Sequence, residues 1–129
     1  MSDEIKKGLL GIVVDETTIS HVVPELSALT YRGYKVQDLC DKCDFEEVAY
    51  LVLHGDLPSK KELRKFINEE RSERKLSKQI IKDIQKMPKN AHPMDVVRTC
   101  VSLMSLEDKD TRDNSPKANM KKAMRIFAK

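Results

Sequence analysis

The chain has 129 residues, enough for one domain with a real core. Its net charge of +3 comes from interleaved acids and bases, as in Lys60 to Lys75, a pattern of solvated helix faces that excludes the one-signed basic stripe of a nucleic-acid binder. Three cysteines, an odd number, together with the lack of a signal-like or bilayer-length apolar run, point to the reducing cytoplasm and exclude a membrane partner.

Met1 to Lys7 is polar and expected to be loose. Ile12-Val13-Val14 and Thr17 to Val23 are β-branched runs separated by Asp15-Glu16, which predicts a short hairpin turning between them. Such a hairpin is marginal alone and must lie on the helices that follow. Pro24 ends its second strand, and Leu29-Thr30-Tyr31 predicts a further extended piece before Gly33. Val36 to Cys43 predicts a short helix.

The next helix is the most informative. Phe45, Val48, Ala49 and Val52 share one face of a 3.6-residue period, and Tyr50, Leu51 and Leu53 fill much of the other, which predicts a buried helix. Asp44 with Glu47 forms a capping box, and Gly55 stands where a left-handed residue ends a helix. Ser59 with Glu62 opens another helix, apolar only at Leu63, Phe66 and Ile67. Its second half, Asn68 to Lys75, is polar throughout and is expected to face solvent or run along an edge. Ser77 caps a helix that turns Ile80, Ile81, Ile84 and Met87 inward and stops at Pro88.

Pro93 suits the first position of a long helix. Met94, Val97, Val101 and Met104 form its apolar stripe, widened by Val96, Cys100 and Leu103. A face that wide needs two partners, so the helix sits at the domain centre or packs on another subunit. After a charged loop from Glu107 to Asn114, Ser115-Pro116 opens a last helix with Met120, Ala123, Met124 and Phe127 inward. That helix stops without a cap, as expected of a cut chain.

Tyr31-Arg32-Gly33-Tyr34, FEEVAYLVLHGDLP (Phe45 to Pro58), KGLLGIVVDETTIS (Lys7 to Ser20), AHPMDVVRT (Ala91 to Thr99) and the run from Ser115 to Lys129 resemble, in order and spacing, the N-terminal region of the citrate synthase family. Within it the wording is most similar to the 2-methylcitrate synthases. The resemblance implies a mainly α, multi-helical large-domain fragment with a short N-terminal β-hairpin, spanning residues 1–129, with the small domain and the catalytic segments absent. It implies condensation of propionyl-CoA or acetyl-CoA with oxaloacetate by the parent enzyme, with no cofactor and no metal. It implies a homodimer through the helices near Pro93 and Pro116. No catalytic residue of the family falls within this chain, which is expected to be inactive alone.

His54 has two readings. As a residue in the last turn of its helix it interacts favourably with the helix end when protonated. By the resemblance, its His-Gly turn lies near bound oxaloacetate, which makes His54 the one candidate substrate-binding residue. Cys40 and Cys43 have CxxC spacing but neither a second ligand pair nor a preceding strand, so they read as helix residues. His92 is expected to flank or cap its helix. Arg32 is expected to anchor its turn to a carbonyl or an acid, and Arg98 to serve an interface salt bridge. Two alternatives stand beside the enzyme: a helical interaction module pairing with itself or with a full-length synthase, and a basic helical module binding nucleic acid, against which the interleaved acids count.

Overall fold

The computed structural model describes residues 8, 11–26 and 28–129; the expectation for Met1 to Lys7 lies outside them. The chain forms two compact units, the first ending at Pro58 and the second running Ser59–Lys129.

In the first unit, β1 (Ser20–Val23), β2 (Ala28–Tyr31) and β3 (Tyr34–Lys35) make an antiparallel sheet in the order β1-β2-β3. Ser20 pairs with Tyr31, and Tyr31 in turn with Tyr34. The expected hairpin is therefore displaced. Ile12 to Val14 form no strand, and Val13 and Val14 are exposed. β-branched residues form a strand only where a ladder partner exists. The later run finds its partner in β2, although β1 stays largely exposed, and the chain reverses through the 3-10 turn Pro24–Leu26 instead of at Asp15-Glu16. The second reversal, Arg32-Gly33, has positive φ at both residues (49° and 89°), the pattern of a type I′ turn.

Two helices complete this unit, α1 (Val36–Lys42) and α2 (Phe45–His54), and α1 packs on β2 and β3, as the marginal sheet requires. The capping box forms, with Asp44 N donating to Glu47 Oε2 at 2.8 Å. Gly55 adopts φ 99°, and its amide donates to the Leu51 carbonyl at 2.8 Å. Among the unit's described residues Leu39 and Leu51 are buried, Leu51 completely. The helix is less enclosed than its spacing predicts: Phe45 is 72% exposed. It occupies the first position after the cap, where a residue overhangs the helix end.

The second unit contains α3 (Lys60–Glu73), α4 (Lys78–Lys86), α5 (Pro93–Glu107) and α6 (Pro116–Ala128). Ser59, Ser77 and Ser115 each accept a backbone N–H through Oγ, so every expected serine cap is present. α3 packs on α6, with the Phe66 and Phe127 rings 6.3 Å apart, and α4 packs on α5. Ser77 Oγ donates to Glu107 Oε1 at 2.8 Å, tying the start of α4 to the end of α5. Phe66, Ile80, Ala118 and Met124 are buried.

Three expectations are corrected here. Glu70, in the polar half of α3, is buried, and Arg74 Nε donates to its Oε1 at 2.7 Å. It lies one turn beyond Phe66, so it follows the same helix face inward. Ile81 is exposed, because α4 buries one stripe and Ile80 occupies it. And of the two places expected for α5, the domain centre is ruled out: none of its residues is buried, and Met94, Val97, Val101 and Leu106 are exposed.

Candidate functional site

Two separate hydrogen-bonded attachments, one from Arg32 and one from Tyr34 to Asp56, flank His54 at the end of α2 in the first unit. The last turn of a helix leaves carbonyls without intrahelical partners. Arg32 Nη2 donates to one of them, the Val52 carbonyl, at 3.0 Å, and its Nη1 donates to Thr18 Oγ1 at 2.7 Å. Arg32 is thus the expected turn anchor, on a carbonyl rather than an acid. Its Nε is buried and makes no hydrogen bond among the described residues, so the two terminal nitrogens carry the attachment. Past the helix, Tyr34 Oη donates to Asp56 Oδ1 at 3.0 Å, and the same oxygen accepts from Leu57 N at 2.8 Å. The hydrogen bond to Asp56 and its negative charge raise the Tyr34 phenol above its usual pKa, so the donor keeps its proton.

His54 stands between these two attachments. Its ring stacks on Tyr50, with centroids 4.2 Å apart and planes inclined by 22°, and the residue is exposed. The turn therefore presents an imidazole whose backbone is held on both sides. His21 is on β1 opposite Thr30 and is not part of this arrangement. His92 Nδ1 accepts from Met94 N at 3.2 Å, which makes it the cap of α5.

Cys40 and Cys43 are free thiols. Burial and the charges of Glu47 and Asp44 raise the Cys43 pKa, which opposes the thiolate that redox or metal chemistry requires. Among the described residues no group of three His, Cys, Asp or Glu side chains is arranged to hold a metal ion. Arg98 bonds Asp95 within its own helix at 2.8 Å, and both are exposed.

Sequence reasoning did not anticipate one feature of the second unit. A cavity of 530 Å³ opens between the end of α5, the following loop and α6, with Val101, Met104 and Ile126 on its apolar wall. Arg125 at its rim donates to both carboxylate oxygens of Asp108 at 2.8 Å and to Asp110 Oδ2 at 3.1 Å. Burial pushes the Asp108 pKa up, but hydrogen bonds from Arg125 and from the Asp110 amide, with the Arg125 charge, hold it below the usual carboxylate value. Both acids fall in a loop legible only as charged, and a bidentate pair needs a relative orientation that spacing does not contain.

A family model described as citrate synthase, C-terminal domain, matches residues 8–129. A 2-methylcitrate synthase of Mycobacterium tuberculosis is 50% identical over 125 residues, which cover 97% of this chain and 31% of that protein. A citrate synthase of Mycolicibacterium smegmatis is 49% identical over 124 residues, 96% of this chain and 33% of that protein. Among solved structures, citrate synthase from Pyrobaculum aerophilum aligns with a TM-score of 0.84 at 29% identity, over 92% of this chain and 32% of that one. The Thermoplasma acidophilum citrate synthase, solved with carboxymethyl coenzyme A and oxaloacetate, aligns with a TM-score of 0.89 at 25% identity, over 97% of this chain and 33% of that one. The chain therefore spans about a third of the length of these relatives.

Proposed function

The chain belongs to the citrate synthase family, and from that premise we propose that it is the amino-terminal part of the large domain of a 2-methylcitrate or citrate synthase. The parent enzyme condenses propionyl-CoA or acetyl-CoA with oxaloacetate and releases CoA, as a step of propionate catabolism or of the tricarboxylic acid cycle. It works in the cytoplasm, without a cofactor or metal. The observation that carries this reading is half identity to a 2-methylcitrate synthase along almost the whole chain. The amino-terminal placement rests on the order of the motifs from Lys7 to Lys129, although the matching family model is named for a C-terminal domain.

The family's chemistry uses an aspartate base and histidines that polarise two carbonyls, and none of those motifs lies in these 129 residues. The chain contributes scaffold and one contact: His54, exposed at its held turn, offers an imidazole N–H to an oxaloacetate carboxylate. It also contributes an interface. The exposed apolar residues of α5, together with Ile126 of α6, form the surface through which two synthase chains pair. The three free thiols suit a reducing compartment.

The test is a chimera in which residues 8–129 replace the corresponding segment of the M. tuberculosis relative. CoA release from propionyl-CoA and oxaloacetate is expected to persist. A folded chimera without activity would sink the proposal. The 129-residue chain alone is expected to release no CoA from either substrate pair. A second reading, a stand-alone helical module, is favoured by the same exposed α5 face; it predicts that the chain sediments with itself or with a full-length synthase.

A further inference from the structure

We propose that α5 pairs antiparallel with α5 of a second copy of this chain, in a register that seats Met94 of the partner subunit over the cavity at the end of α5. This rests on, and deepens, the reading of the exposed α5 face as the surface through which two synthase chains meet. The stripe itself carries the register. Met94, Val97, Val101 and Met104 follow one another at intervals of three, four and three residues. Residue type and spacing therefore read the same from either end. A twofold axis through an interface sets a patch against its own copy, residue i on j and j on i. With the axis crossing α5 at the level of Thr99, Val97 meets Val101 of the partner subunit, and Met104 meets the partner's Met94. Each pair occurs twice.

The relief of the second unit favours this direction. Met94, Val97 and Val101 are exposed, whereas Met104 is half-buried and lines the cavity with Val101 and Ile126. One end of the stripe therefore carries a knob and the other a hollow, and antiparallel pairing brings knob to hollow. Parallel pairing would set each cavity against its own copy and leave both apolar walls uncovered. It would also align two helix dipoles side by side, which repel. The seated residue suits an irregular hollow, because methionine is unbranched and adapts its shape to the space it fills. Charge does not oppose the closure. Arg98 flanks the stripe and is paired with Asp95 in its own helix at 2.8 Å, and Arg125 at the cavity rim is occupied by Asp108 and Asp110. Pairing therefore leaves neither arginine as an unpartnered charge.

Cysteine pairs read the register, because a disulfide forms only between Cα atoms about 4.4–6.8 Å apart. The background is the 129-residue chain with Cys40→Ser, Cys43→Ser and Cys100→Ser. One preparation carries Val97→Cys, and a second, lengthened by a tag, carries Val101→Cys. After mixing and oxidation, a non-reducing gel is expected to show the linked species of one tagged and one untagged chain. Either preparation oxidised by itself is expected to show no linked band. Met94→Cys mixed with Met104→Cys should give the same result, and it serves if the valine variants lose their helical circular dichroism. Val97→Cys linking to itself as readily as in the mixture would mean a parallel pair and overturn the register. A sedimenting dimer that links in neither mixture overturns it as well. A chain that stays monomeric at every concentration removes the α5 interface and the inference with it. CoA release by the chimera is measured separately: linked mixtures beside an inactive chimera keep the register and sink the synthase reading.

Discussion

Gly55 shows how much one residue can decide. No atom of the described residues lies within 4 Å of where a Cβ would be, so Gly55→Ala meets no clash among them, only the cost of φ 99°. A left-handed conformation costs a substituted residue about 1–2 kcal/mol. Thermal unfolding of Gly55→Ala is expected to show that loss, and an unchanged midpoint would mean that the turn relaxes to negative φ. The Arg125–Asp108 pair is a second case. Asp108 has a folded pKa held below its ordinary 3.8, so its contribution to stability is complete above that value and is lost as pH falls through the folded one. Asp113 behaves in the same direction, because the Ser115 amide and hydroxyl lower its pKa. Stability should therefore decline below about pH 4, and Arg125→Met should flatten that decline as well as cost about 2 kcal/mol at neutral pH, between the values for exposed and buried pairs. Urea titrations at a series of pH values measure both effects. Glu70 behaves differently. Its Oε2 is buried with no hydrogen-bond partner among the described residues, whereas its partner Arg74 is half exposed. Glu70→Met removes an unsatisfied buried oxygen, and the half-exposed Arg74 keeps access to water, so stability is expected to hold or rise.

At the scale of the element, caps and cores contribute by different mechanisms. Ser59 accepts from Glu62 N at 3.4 Å while Glu62 Oε2 accepts from Ser59 N at 2.9 Å. Ser59→Ala should cost about 1 kcal/mol through the start of α3. Leu51→Ala should cost about 2–5 kcal/mol, because it empties a completely enclosed site on α2. If the alanine variant at position 51 melts with the wild type, α2 is not the centre of its unit. α5 has a cap in His92 but no buried core residue. Its polar side chains bond back to its own carbonyls, Thr99 to Asp95 and Ser102 to Arg98, while Arg98 pairs with Asp95. The polar face is therefore satisfied within the helix. The apolar face has no such recourse, and much of it is left in solvent.

For the whole molecule, that surface is the most consequential feature. Met94 is 62% exposed and Leu106 81% exposed, and exposed apolar residues grouped on one helix mark an interaction site rather than a resting surface. Self-association through α5 is the expected outcome. Val97→Glu with Val101→Glu should convert a concentration-dependent sedimentation coefficient into that of a monomer while leaving the helical circular dichroism unchanged. Association that survives both charges would place the interface elsewhere.

Local chemistry was legible in the sequence wherever it depends on neighbours along the chain. Caps at Asp44, Ser59, Ser77 and Ser115, the proline start at Pro93 and the left-handed Gly55 all arise within three or four residues, so spacing alone determined them. The family was legible for a related reason, since motif order is itself a one-dimensional property. What only the tertiary structure decided involves partners far apart in sequence. Ile12 to Val14 have the composition of a strand, yet the ladder formed between β1 and β2, because strand formation requires a partner that composition does not name. Glu70 turned inward, Phe45 and Ile81 turned outward, and Arg125 closed on Asp108 for the same cause: burial and ion pairing depend on which helices meet and at what angle. His54 lies on that dividing line. Its place at the end of α2 follows from the sequence, but the two grips from Arg32 and Tyr34 follow only from a sheet that folds its turn back across the helix end.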